Sequence, residues 1–165
     1  MTRRRHFRQL PGTVVQVDIG DGMHCYALIG PNADYTFFDY HGSEELPLAE
    51  IVQLPTLFTI TVQNYVTTDS HWTRVGRVDD YNHIPIPSYF IQDPFHSDRF
   101  EIYRDGRIRK AKREEVTGLE RLAAWAPDEV RERLRDHVEG RPNAIVESMR
   151  PREDEGSVTF GNVQI

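Results

Sequence analysis

The sequence predicts an α+β fold: a curved antiparallel sheet or partly closed barrel of six to eight short strands, with one or two C-terminal helices. Three observations lead there. β-prone runs with apolar–polar alternation fill the first two thirds of the chain, the period expected of half-buried strands. Glycine-bearing turns separate several of those runs. Apolar residues at four-residue spacing come only towards the end, at Val130, Leu134 and Val138. Strands followed by helix, without βαβ alternation, argue against a parallel sheet.

The elements follow in order. Thr13 to Ile19 places Val15, Val17 and Ile19 on one face, and His24 to Ile29 is a second β-prone run. Gly20-Asp21-Gly22 between them makes the pair a hairpin. Tyr35 to Tyr40 is aromatic and β-prone, a third strand. Leu46, Leu48, Ile51, Val52 and Leu54 fit a short helical turn or a packed loop, and Leu57 to Val62 is a strand. Trp72 to Val78 is another, with Gly76 inside it, which points to a bulge or a close backbone approach. Pro85 and Pro87 cannot donate to a ladder, so residues 79–88 are read as a loop before the short Tyr89–Ile91 run. Phe100–Arg104 and Arg107–Lys110 flank Asp105-Gly106, the two-residue signature of a type I′ hairpin.

Two helices are expected near residues 113–125 and 127–139. Thr117-Gly118-Leu119-Glu120 has capping-box spacing; alternatively one helix begins near Arg113 and contains Gly118. Pro127-Asp128-Glu129 suits a helix start, because proline fits the first helical position and acids complement the dipole. Gly140 and Pro142 stop it. Residues 11–143 are read as one domain, 1–10 as a basic arm and 144–165 as an extension. Residues 158–165 fit a final hairpin around Gly161-Asn162, or a tail ordered by a neighbour, which would allow a homodimer.

The chain has 165 residues with 20 Lys+Arg against 26 Asp+Glu, a formal charge of −6. That length suits one domain with its own core. With Arg3, Arg4, Arg5 and Arg8 of the arm set aside, 16 basic residues face 26 acidic ones, a net −10. Such a body repels nucleic acid and anionic membranes and attracts a basic partner. The single cysteine, Cys25, excludes an internal disulfide and a multi-cysteine zinc site. No apolar run reaches membrane-spanning length, and the basic N-terminus lacks the apolar stretch of a signal peptide, so the expected location is the cytoplasm.

Catalytic motifs are missing. The seven histidines form no HExxH or HxH arrangement. The nearest thing to a ligand set is Asp79, Asp80 and His83 with Asp93, His96 and Asp98, which supports one alternative, a metal-dependent hydrolase; ordinary turn-forming polar residues explain the same pattern. Cys25 sits in an apolar strand pattern and reads as a buried filler. There is no GxSxG elbow and no phosphate-binding loop, since Gly20-Asp21-Gly22 leads into a strand. Trp72 and Trp125 read as core anchors, and Glu120 as a structural residue at the edge of an apolar face.

Several stretches, taken together, resemble one known family. Gly12-Thr13-Val14-Val15 running to Asp21-Gly22 and Tyr26 is similar to its opening hairpin. Phe38-Asp39-Tyr40 and Ser43-Glu44-Glu45-Leu46-Pro47 are similar to its aromatic-acidic segment. Leu57-Phe58-Thr59-Ile60 and His71 to Val78 resemble its central strands, and Gly118-Leu119-Glu120-Arg121, with Trp125 and the helix from Val130 to His137, its closing GLE signature. The family is immunity protein 26 of bacterial polymorphic toxin systems, and the likeness covers roughly residues 11–143. It implies a cytoplasmic, non-enzymatic protein without a cofactor that binds and neutralises a toxin encoded beside it.

The residues themselves agree with a binder. The acidic body suits a basic toxin, for instance a nuclease that grips phosphate. Occlusion of the toxin is the expected mechanism. The expected contact residues are Asp39, Tyr40, Glu44, Glu45 and Glu50, with Asp79 and Asp80 as a second group; as plain surface acids they would equally serve solubility. A nucleic-acid module led by Arg3–Arg5 is a further alternative, opposed by the acidic remainder.

Overall fold

The computed structural model describes residues 7–153. It is α+β, with ten strands in two curved sheets that do not close into a barrel. The first sheet has six strands: β1 (Thr13–Gly20), β2 (Met23–Ile29), β3 (Asp34–Phe38), β4 (Thr56–Val62), β5 (Trp72–Arg77) and β10 (Ala124–Trp125), in the order β10-β4-β3-β2-β1-β5. The second has four: β6 (Tyr89–Gln92), β7 (Phe100–Arg104), β8 (Arg107–Ala111) and β9 (Glu120–Arg121), in the order β8-β7-β6-β9. The helices are α1 (Leu48–Ile51), α2 (Arg113–Val116), α3 (Pro127–Val138) and α4 (Ala144–Ser148).

Both expected hairpins form, for the expected reason. Asp21 and Gly22 have φ of 54° and 75°, and Asp105 and Gly106 have 50° and 79°, the left-handed pairs that a type I′ turn requires. Gly76 combines both of its expected readings. The β1–β5 register slips between Val14 and Val15, so the strand bulges there, and a Cβ on Gly76 would lie 2.5 Å from Leu48 Cδ1. The missing side chain therefore admits α1 against the sheet.

Three expectations are corrected. There are two sheets rather than one. Each also takes a short parallel strand, β10 beside β4 and β9 beside β6. And the helix expected over residues 113–125 is a single turn. Gly118, at φ 81°, follows α2, and the chain then passes through β9 and β10. A two-residue strand has no period to read, so the capping-box spacing pointed to the wrong element. The residue reaching back to a cap is Glu115, whose carboxylate accepts from Lys112 N–H at 2.7 Å. Helix α3 forms as expected, with Pro127 at its start and Val130 and Leu134 fully buried; each such side chain contributes about 1.5–3 kcal/mol.

The six-stranded sheet is buried on both faces. Val15, Val17, Cys25, Ala27, Tyr35 and Phe37 point to one side, where α3, Phe7, Trp72 and Trp125 cover them. Val14, Tyr26, Leu28 and Phe38 point to the other, covered by Ile51 and Val52 with half-buried Leu46, Leu48, Val78, Tyr81 and Ile84. Phe90, Phe100, Ile102 and Val116 form a smaller core on the second sheet. The segment after α3, left open by the sequence, is tied down: Asn143 caps α4 by accepting from Val146 N–H, and Arg152 N–H donates to Gln92 Oε1 at 2.8 Å. The residue 158–165 hairpin and Arg3–Arg5 lie outside the described residues.

Gly12 stands where the first sheet is closed at its edge. Its carbonyl accepts from Val78 N–H at 2.9 Å, its φ is 84°, and a Cβ would lie 2.1 Å from the Val78 carbonyl oxygen. Gly12→Ala should therefore destabilise the protein by about 2–3 kcal/mol, the cost of strain plus a displaced backbone. Urea denaturation of the two proteins measures it; equal midpoints would contradict this geometry.

Candidate functional site

The second face of the first sheet is roofed by chain with little regular structure, and this roof carries all seven expected contact residues. The first part, residues 39–54, leaves β3, crosses the sheet as α1 and returns to β4. A loop needs partners for its own polar backbone, and three aromatic side chains supply them. His24 Nε2 lies 2.9 Å from the Glu44 carbonyl and 2.9 Å from Tyr26 Oη. Tyr40 Oη–H donates to the same carbonyl, and Tyr26 Oη accepts from Leu46 N–H at 3.0 Å. The Tyr26 and Tyr40 rings stack with centroids 5.6 Å apart, and His24 meets Tyr26 edge-on.

The backbone of the acidic loop is thus fixed while its charges face outward. Asp39, Glu44, Glu45 and Glu50 are exposed, and Tyr40 is half-buried. Asp39 has one neighbour of note, His137 Nε2 on α3 at 3.4 Å. The second part of the roof, residues 78–88, holds Asp79 and Asp80, both exposed. It is tied to the first part by His83 Nε2–H, which donates to the Val52 carbonyl at 2.7 Å. Tyr81 and Ile84 pack on the same apolar layer as Leu46 and Leu48. The structure therefore packs the two segments against one side of one sheet, while the Asp39 carboxylate lies towards α3 on the other side.

Between the residue 81–87 connection and the sheet lies a cavity of about 350 Å³. Leu28, Thr36 and Thr59 line its sheet side, Ile84, Pro85 and Ile86 its other wall, and Arg104 of β7 also borders it. Asp34 also lines it, a residue that sequence reasoning missed. Asp34 is only 7% exposed. Its Oδ1 accepts from Tyr89 Oη–H at 2.7 Å and from Thr61 Oγ1–H at 3.3 Å. Burial pushes its carboxyl above the ordinary value of 3.8, although both hydroxyl bonds pull the other way. Asp34 opens a strand behind a Gly-Pro-Asn turn, where an aspartate reads as turn chemistry. Only the arrival of Tyr89, 55 residues later, distinguishes it.

The ligand set of the hydrolase alternative is not assembled. His83 is spent on Val52, Asp80 accepts from Asn82, and Asp93 accepts from the Phe95 and His96 amides. Among the described residues, the His/Asp grouping close enough to share an ion is a different one, Asp69, His71 and Asp128. Cys25 is buried in β2, and burial, then the charge of Asp39, pushes its thiol up to about 12, the behaviour of an inert filler. Trp72 and Trp125 are core residues, each 1% exposed. Glu120 binds Arg133 with both oxygens, and that guanidinium lies 3.6 Å from the Phe58 ring centroid. This is a structural ion pair on the opposite side of the sheet.

One protein family matches the chain. The model of the family described as Immunity protein 26 covers residues 10–101. That stretch contains the first hairpin, the aromatic-acidic segment and the residue 78–88 connection, and ends before the GLE signature at residues 118–120. No curated protein and no solved structure matches. No helix among the described residues is long and apolar enough to cross a membrane.

Two outcomes are expected of this arrangement. Tyr26→Phe leaves the half-buried Leu46 N–H without its acceptor, so it should cost about 1–2 kcal/mol and accelerate hydrogen exchange at the Leu46 amide; unchanged exchange would contradict the fastening. Asp34 carries a raised folded-state pKa, so the native protein holds that proton more tightly than the unfolded chain. Its contribution to stability then falls as pH rises from the ordinary value of 3.8 through the raised one, and the full cost persists at neutral pH. Asp34→Asn should therefore raise the urea midpoint at pH 7 and flatten its fall across the acidic window.

Proposed function

The chain belongs to the Immunity protein 26 family, and from that membership we propose that it binds a cognate toxin and neutralises it by occlusion, without catalysis. The toxin is basic, as a nuclease that grips phosphate is, and acts in the cytoplasm, where this protein meets it. The contact surface is the roof of the second sheet face, with Asp39, Tyr40, Glu44, Glu45 and Glu50 on one segment and Asp79 and Asp80 on the other.

One observation supports the assignment of this surface: exposed carboxylates stand on a loop whose Glu44 carbonyl and Leu46 N–H are held by His24, Tyr40 and Tyr26. A loop fixed before binding loses little further freedom in the complex. Outward carboxylates on it steer a basic partner, which raises association rates by roughly ten- to a thousandfold at low salt. Close charge pairs across the interface couple by about 1.5–7 kcal/mol. Tyr40 and the apolar edge beneath it supply contact area that charge alone does not.

The test is co-expression with the polypeptide encoded beside this protein. Growth should be rescued and a stable complex recovered; a lethal neighbour that is neither bound nor silenced overturns the proposal. Glu44→Lys with Glu45→Lys should then slow association by about tenfold or more at low salt, with the difference shrinking as salt rises. An unchanged association rate would reject this surface as the contact face.

A further inference from the structure

We propose that the cavity lined by Asp34 is a receptor for one basic side chain, a lysine or arginine of the protein partner. The inference rests on the reading above for the source of that side chain, but its chemistry is set by the cavity. Buried charges in proteins are paired. Asp34 is 7% exposed and meets only two neutral hydroxyls, those of Tyr89 and Thr61. None of the ion pairs among the described residues includes it. The carboxylate is therefore oriented and desolvated but lacks a counter-charge.

The rest of the cavity selects the kind of cation. Its sheet side offers the Leu28 side chain and its opposite wall Ile84 and Pro85. A mixed lining, with Leu28, Ile84 and Pro85 beside Thr36, Thr59 and a carboxylate, fits an alkyl stem with a charged head. A bare divalent ion would need several more oxygen ligands. Arg104, which is exposed, also borders the cavity. The neighbouring connection carries Asp79 and Asp80, so the cavity adjoins the proposed acidic contact face. An open-mouthed pocket beside a solvated charged surface is the layout of an interface anchor within its rim.

The probe is n-butylammonium, with n-butanol as the uncharged control, titrated into the full chain and followed by amide chemical shifts. Saturable millimolar binding is expected, with shifts centred on Asp34, Thr36, Thr59 and Ile84. Butanol should give no such shifts; equal shifts would overturn the proposal, and this comparison requires no variant. Asp34→Asn should weaken butylammonium binding by about tenfold or more, whereas Thr61→Val, which keeps the charge and removes one hydroxyl donor, should bind at least as tightly. Undiminished binding to Asp34→Asn overturns the proposal. So does a toxin complex that Asp34→Asn leaves at full affinity, a result that spares the immunity reading. Butylammonium binding without any toxin complex supports the cavity's chemistry while removing the immunity reading.

Discussion

The central strands of the first sheet are covered on both faces, and most of what this protein presents to its surroundings follows from that. All five residues of β3 and the last six of β2 are buried. An antiparallel sheet usually leaves one face to water and needs one cover. Here α3 supplies one cover cheaply, because a helix satisfies its own backbone. The second cover is built from residues 39–54 and 78–88, which are mostly irregular, so its backbone must find partners elsewhere. His24, Tyr26, Tyr40 and His83 are those partners. The polar aromatic layer within an otherwise apolar face is thus the consequence of roofing a sheet with loop, and the outward acids ride on a roof fixed for structural reasons.

The roof does not extend evenly. Over the polar end of β3 and β4, where Thr36, Thr59, Thr61 and Asp34 replace the large apolar residues found nearer α1, it leaves a cavity. Asp34 is the one buried acid among the core residues of that region, and Tyr89 from the second sheet orients it across the junction of the two sheets. A desolvated carboxylate lowers the stability of the isolated fold. Such a cost fits a binding group better than a packing group, since a well-packed apolar side chain would stabilise the same position more.

Charge is divided between the sheets as well. Arg104, Arg107, Arg109, Lys110, Lys112 and Arg113 follow one another on and beyond the β7–β8 hairpin, against Glu101, Asp105, Glu114 and Glu115, a net +2 over residues 101–115; Glu115 pairs with Arg109. The acidic roof lies on the first sheet. A charge distribution with two ends orients an approaching partner as well as attracting it. The net −6 of the whole chain, read alone, conceals this separation.

The sequence by itself determined the parts governed by local rules. Asp-Gly turns demanded left-handed backbone and gave both hairpins; the alternation of Val15, Val17 and Ile19 placed one face of β1 correctly; Pro127 with two following acids started α3. It also determined, through ordered short motifs, the family to which the chain belongs. It could not reveal that Glu120-Arg121 and Ala124-Trp125 are strands, because two residues carry no period and their hydrogen bonds come from β6 and β4. Nor could it single out Asp34, which resembles any aspartate after a turn until Tyr89 is folded against it. The tertiary structure decided these, and decided that residues 39–54 and 78–88 are joined through His83 and Val52, because burial and pairing depend on contacts between segments tens of residues apart, which local spacing does not encode.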